Sequence, residues 1–184
     1  PNDNAFAYVK VNINDGIGFG KTFVAADGTY TFYTQAGNFT LTAEMENTNY
    51  FSFSPSNAVI DFPVVDNSTE TQNFCITANG VHPDLEVILT PIGIARPGFD
   101  SEYKIIYKNK GNQLLSGTIS FAYNDAVLDF VSASVAPSSL PMNYINWYFT
   151  NLKPFESKEI YITLNLNSPV EIPAVNSGFI LNYT

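Results

Sequence analysis

Asp27-Gly28-Thr29-Tyr30-Thr31-Phe32-Tyr33-Thr34-Gln35-Ala36-Gly37-Asn38-Phe39-Thr40-Leu41-Thr42 is the stretch whose reading decides the fold. Aspartate followed by glycine supplies the positive φ angles of a tight turn. Tyr30 and Phe32 alternate with threonines, Gly37 marks a reversal, and Phe39 and Leu41 alternate again. Period two puts every second side chain on one face, so the stretch predicts two strands, each with one apolar face. The rest of the chain repeats this grammar. Val9, Val11 and Ile13 predict a first strand, and Phe51, Phe53, Ala58, Ile60 and Phe62 predict two more around Pro55-Ser56-Asn57. Phe74 and Ile76 close this half.

Asn79-Gly80-Val81-His82-Pro83 breaks the alternation and reads as a linker. Beyond it the pattern restarts with Leu85, Val87 and Leu89. Tyr103, Ile105 and Tyr107 alternate with Lys104, Ile106 and Lys108, and Asn109-Lys110-Gly111-Asn112 turns the chain. Ile119, Phe121 and Tyr123 follow, then Val127, Leu128, Phe130 and Val131 after Asn124-Asp125, then Ile145, Trp147 and Phe149. Ile160, Ile162, Leu164 and Leu166 give the cleanest alternation, and Phe179, Leu181 and Tyr183 have the phase of a closing strand. The expectation is an all-β chain of two antiparallel β-sandwiches, residues 1–78 and 84–184, joined by the linker 79–83.

Composition bounds what such a chain does. The 184 residues carry 8 Lys+Arg against 17 Asp+Glu, a net charge of -9. That balance repels phosphate backbones and anionic membrane surfaces, so nucleic acid is not an expected partner. No apolar run approaches the length of a membrane span, so membrane insertion is not expected either. The chain opens on Pro1 and reads as a piece of a longer protein.

Two family resemblances add to this reading. Asp27-Gly28-x-Tyr30-x-Phe32 with Gly37-x-Phe39-x-Leu41 resembles the hairpin of carboxypeptidase-regulatory and Cna-B-like repeat domains, over roughly residues 1–78. Tyr103-x-Ile105-x-Tyr107-x-Asn109-x-Gly111, Leu128-x-Phe130-Val131-Ser132, Trp147 and Leu152-x-Pro154-x-Glu156-Ser157-x-x-Ile160-x-Ile162 resemble the Ig-like repeat domains of bacterial cell-surface proteins. Together the halves are similar to secreted multidomain proteins of Bacteroidetes, exported by the type IX system. The resemblance implies Ig-like, prealbumin-type sandwiches, an extracellular or cell-surface location, and neighbouring domains of the same polypeptide as partners. It also implies that Asn2-Asp3 is the tail of an acidic, sometimes calcium-binding loop. Pro154 is expected to open a turn although Glu156 stands where the family often has glycine.

Candidates for chemistry are few. Calcium is carried as an option at Asp3 or Asp15, although the acidic residues lack the every-second-residue spacing of a dedicated loop. His82, the single histidine, lies in the linker before a proline, a position without the scaffold a Ser-His-Asp triad needs, and reads as a solvated hinge residue. Lys10 is out of phase with Val9, Val11 and Ile13, which opposes the buried lysine an isopeptide crosslink requires. Cys75 points away from the face of Phe74 and Ile76. It reads either as a small strand residue or, with more weight, as half of a disulfide to a cysteine outside the chain. Tyr144 and Tyr148 alternate against the apolar set Ile145, Trp147 and Phe149, so they face outward and suit contact with sugars or proteins.

The expected function is a non-catalytic stalk or adhesin segment at a bacterial surface. A carbohydrate-binding module using Tyr144 and Tyr148 is the alternative, and an enzyme ranks behind both. Residues 178–184 are expected to close their own sheet in a monomer, with exchange of that strand between filament subunits as the other possibility.

Overall fold

The structure is a computed structural model that describes residues 7–184. It is all-β, with antiparallel sheets and, among the described residues, no helix. The chain divides into two compact units, Pro1–His82 and Pro83–Thr184, so the division falls within the expected linker.

In the first unit, β1 (Lys10–Asn14) and β2 (Phe19–Phe23) form a hairpin, with Lys10 opposite Phe23 and Asn14 opposite Phe19. The other edge of β1 pairs with β3 (Gly37–Glu44), which in turn pairs with β5 (Ala58–Phe62) to give the order β2-β1-β3-β5. A second sheet joins β4 (Phe51–Ser54) to β6 (Cys75–Ala78). Val9, Val11, Leu41, Met45 and Phe51 are buried.

The opening stretch departs from expectation here. The Asp27-Gly28 turn forms: Gly28 has φ 86°, its N–H donates to Ala25 O at 2.9 Å, and Thr29 N–H donates to the Asp27 carboxylate at 3.0 Å. Tyr30 and Phe32, however, lie in a segment outside any ladder and form no hairpin with Phe39 and Leu41; the strand that carries those two, β3, pairs with β1 and β5 instead. Alternation fixes which face a side chain takes but not which strand it lies beside. The Asn14-to-Gly18 turn joins β1 to β2 and closes their hairpin. Asp15 accepts from Gly18 N–H at 2.7 Å and from Ile17 N–H at 2.9 Å, so the glycines serve a two-strand reversal.

The second unit is a face-to-face sandwich. One sheet has the order β10 (Leu128–Ala133), β12 (Ser157–Leu166), β8 (Asp100–Asn109), β7 (Leu85–Pro91); the other pairs β11 (Tyr144–Leu152) with β9 (Leu115–Ala122). Their inner faces make one core cluster: Tyr103, Ile105 and Tyr107 from β8, Ile160 to Leu166 at alternate positions of β12, Ile119 and Phe121 from β9, and Ile145, Trp147 and Phe149 from β11. Trp147 is 3% exposed and its indole N–H donates to Val135 O at 2.9 Å, so the ring is buried without an unmet donor.

Four local outcomes refine the sequence reading. A bulge between Phe130 and Ser132 breaks strict alternation in β10 and leaves Val131 exposed. The Lys153–Glu156 turn forms as expected, closed by Glu156 N–H to Lys153 O at 3.0 Å and capped by the Glu156 carboxylate on Lys153 N–H at 2.9 Å. The 178–184 segment is not a ladder strand. Thr184 alone exchanges backbone hydrogen bonds with Ala122, while Leu181 and Tyr183 pack on the core and Phe179 stays exposed. His82 is no free hinge residue: its ring stacks on Tyr50 at 4.3 Å between centroids and 7° between planes.

Candidate functional site

Neither β9 nor β11 contains a charged residue. Alternation buries Ile119, Phe121, Ile145, Trp147 and Phe149, so the other set forms the outer face: Thr118 and Ser120 on β9, Tyr144, Asn146 and Tyr148 on β11. The register sets Thr118 opposite Tyr148 and Ser120 opposite Asn146. Tyr144 is 47% exposed and Tyr148 62%, and four strand residues separate them by about 13 Å. The face is two aromatic platforms with hydroxyl and amide groups between and beside them.

A strip of chain is fastened along the free edge of β11. Ser139 bridges Asn146 through backbone hydrogen bonds, Ser138 Oγ accepts from Tyr148 N–H at 2.8 Å, and Asn146 Nδ2 donates to Ser139 Oγ at 3.0 Å. At the start of the strand, Asn143 N–H donates to Asp125 Oδ2 at 3.2 Å while Asp125 N–H donates to Asn143 Oδ1 at 3.1 Å. This reciprocal pair holds Asn143 at φ 62° and fixes where Tyr144 begins. The strip also puts Leu140 and Met142, both exposed, beside the tyrosines in the chain.

The opposite sheet is the reverse in character. Lys104 on β8 meets Glu159 on β12 at 2.7 Å and lies 5.4 Å from the Tyr161 ring centroid, and Lys110 meets Glu86 on β7 at 3.4 Å. The Lys104 contact holds the Glu159 carboxyl below its ordinary range, and Glu159 in turn raises the Lys104 ammonium.

The other candidate residues fall apart in space or in role. Asp15 is spent on its own turn, and the amides of Gly18 and Ile17 hold its carboxyl below the usual value. Among the described residues no three His, Cys, Asp or Glu side chains gather as a metal set, and Asp3 lies outside the described residues. Cys75 is a free, exposed thiol on β6, opposite Ser54, with its side chain on the outer face as its phase implied. Lys10 forms an ion pair with its cross-strand partner Glu44 at a partly exposed site.

Sequence reasoning missed the buried polar residues that hold the second unit together. Asn109, 0% exposed, donates from Nδ2 to Gln113 O at 2.7 Å and to Leu152 O at 2.9 Å, and accepts from Gly111 N–H at 2.9 Å. Its backbone exchanges hydrogen bonds with the 153–156 turn through Glu156 O and Phe155 N–H. Asn167 donates to Ala126 O and Pro173 O. A signal existed for Asn109: it has the parity of Tyr103, Ile105 and Tyr107 and therefore points inward.

Architecture and site together define the class: an all-β chain of antiparallel sandwich units with an uncharged aromatic face on the second. No family model matches the chain, and no curated protein or solved structure is significantly similar to it.

Proposed function

We propose that this chain is a non-catalytic structural and adhesion module of a secreted bacterial surface protein, built from Ig-like sandwich domains. The observation that supports it most is how the second unit uses its buried polar groups. Asn109, Asn167 and Ser101 all tie one strand or loop to another, and no buried side-chain nitrogen or oxygen among the described residues lacks a partner. Such crosslinks stiffen a spacer. The test is single-molecule extension of the chain between inert handles, where a spacer resists load and unfolds in discrete steps. Gradual, featureless extension of residues 83–184 at low force refutes it.

A second reading rests on the β9–β11 face. Exposed tyrosines flanking Asn146, Ser120 and Thr118 suit a neutral polysaccharide, whose rings stack on aromatics and whose hydroxyls meet amide and hydroxyl groups. Glycan-array binding that disappears in Tyr144→Ala plus Tyr148→Ala selects this reading. Binding unchanged by the double substitution removes it.

A further inference from the structure

The first unit holds a cavity of about 710 Å³, within the size range of small-molecule sites. Its floor is the inner face of β3 and β5, with Phe39, Leu41, Ile60 and Phe62. Its walls are the irregular segments 28–35 and 64–73, outside any ladder, which meet where the Tyr30 hydroxyl donates to Gln72 O at 2.6 Å. Tyr30 and Phe32 enter from the wall, edge to face at 6.1 Å between ring centroids. Of these six side chains only Leu41 is fully buried; the others are partly buried, so some apolar surface remains to be covered.

We propose that this cavity binds an apolar small molecule carrying a positively charged or neutral head group. Charge decides the head. Asp66 and Glu70 lie in the lining, and no lysine, arginine or histidine does. Asp66 is exposed and bonded to Ser68, which holds its carboxyl below the ordinary range and keeps it ionised at neutral pH. An anionic amphiphile would place its head against two carboxylates, whereas an amine would be attracted. The volume favours a small molecule. An extended peptide pairing with segment 30–35 is a different occupant and an outcome of the test.

The experiment titrates octylamine, octanol and octanoate into the ¹⁵N-labelled full chain, followed by amide chemical shifts. Octylamine and octanol are expected to cause saturable shifts confined to residues 28–41 and 60–73, with octanoate weaker by a few-fold, up to about fivefold, the size of an exposed charge contact. Asp66→Lys with Glu70→Lys, both on the exposed rim, is expected to reverse the order of octylamine and octanoate. Val64→Trp, which fills the mouth from an exposed position, is expected to weaken all three. Unsaturable shifts, shifts spread over both units, or an order that charge reversal leaves unchanged would overturn the proposal. So would binding only of an extended peptide with alternating apolar residues.

Discussion

The side-chain amide of Asn109 donates to the main-chain carbonyl of Leu152 at 2.9 Å, joining the end of β8 to the end of β11 inside a core that excludes water from both. The two strands belong to opposite sheets. One asparagine thus clamps the sandwich at the end where the 110–113 and 153–156 turns emerge.

Asn109→Ala removes two donors and an acceptor while leaving the Leu152 and Gln113 carbonyls without that partner. At about 1–3 kcal/mol for each buried group left unmet, the expected loss is about 3 kcal/mol. Urea unfolding followed by Trp147 emission reports the second unit alone, because Trp147 is the single tryptophan. An unchanged midpoint would show the clamp to be dispensable.

Trp147 fills the centre of the same core at 3% exposure. Trp147→Ala is expected to cost about 3–5 kcal/mol, and Trp147→Phe distinctly less because it restores most of the volume. Thermal melts of the two variants by circular dichroism check the order.

Alkali is expected to unfold the second unit. Burial first, then the hydrogen bond with the Tyr103 hydroxyl, pushes the Tyr183 phenol far above its ordinary value; burial also raises Tyr107 and Tyr123. A group raised in the folded state contributes stability in full below its unfolded value and loses it above. The fall therefore begins near pH 10, the unfolded tyrosine value. Tyr183→Phe is expected to flatten the slope above pH 10 while lowering stability slightly at pH 8. Denaturant midpoints measured across that range decide it, and a slope identical to the parent's would contradict the assignment.

Cys75 is exposed on β6. In the chain as it stands, a thiol reagent is expected to modify it in native buffer at a rate close to that in denaturant. Strong protection in the native state would show the β6 face to be covered.

Hydrogen exchange is expected to divide the terminal segment. The Thr184 and Ala122 amides bond to each other's carbonyls at 3.2 and 2.7 Å, and both are expected to exchange slowly. The amides of Ile180 and Asn182 carry no such partner in the backbone ladder and are expected to exchange fast. Uniform protection over 178–184 would restore the full closing strand.

Facing was legible in the central strands of the second unit, because Tyr103 to Tyr107, Ile145 to Phe149 and Ile160 to Leu166 each alternate without interruption, but not at Val87 or Phe179, which are exposed. Pairing was not. Tyr30 and Phe32 carry a strand pattern, yet nothing in their spacing says that β1 and β5, and not they, flank the strand of Phe39 and Leu41. The β10 bulge escaped for a related reason: one extra residue at Val131 leaves the composition intact and alters only the register. Tyr144 and Tyr148 were placed outward by parity alone. That Ser138 and Ser139 would line the same strand edge depends on a contact seven or more residues away, which local pattern does not contain.

All the charge on the strands of the second unit belongs to the sheet of β7, β8, β10 and β12, and none to that of β9 and β11. A slab built this way has a charged side and a neutral one. On the carbohydrate-binding reading proposed above, it is expected to meet an uncharged polymer with the neutral face, since burying the charged face would strip water from its ions. Salt then tunes only the side turned to the medium. On that reading, orientation on the polymer is favoured before any specific contact is made.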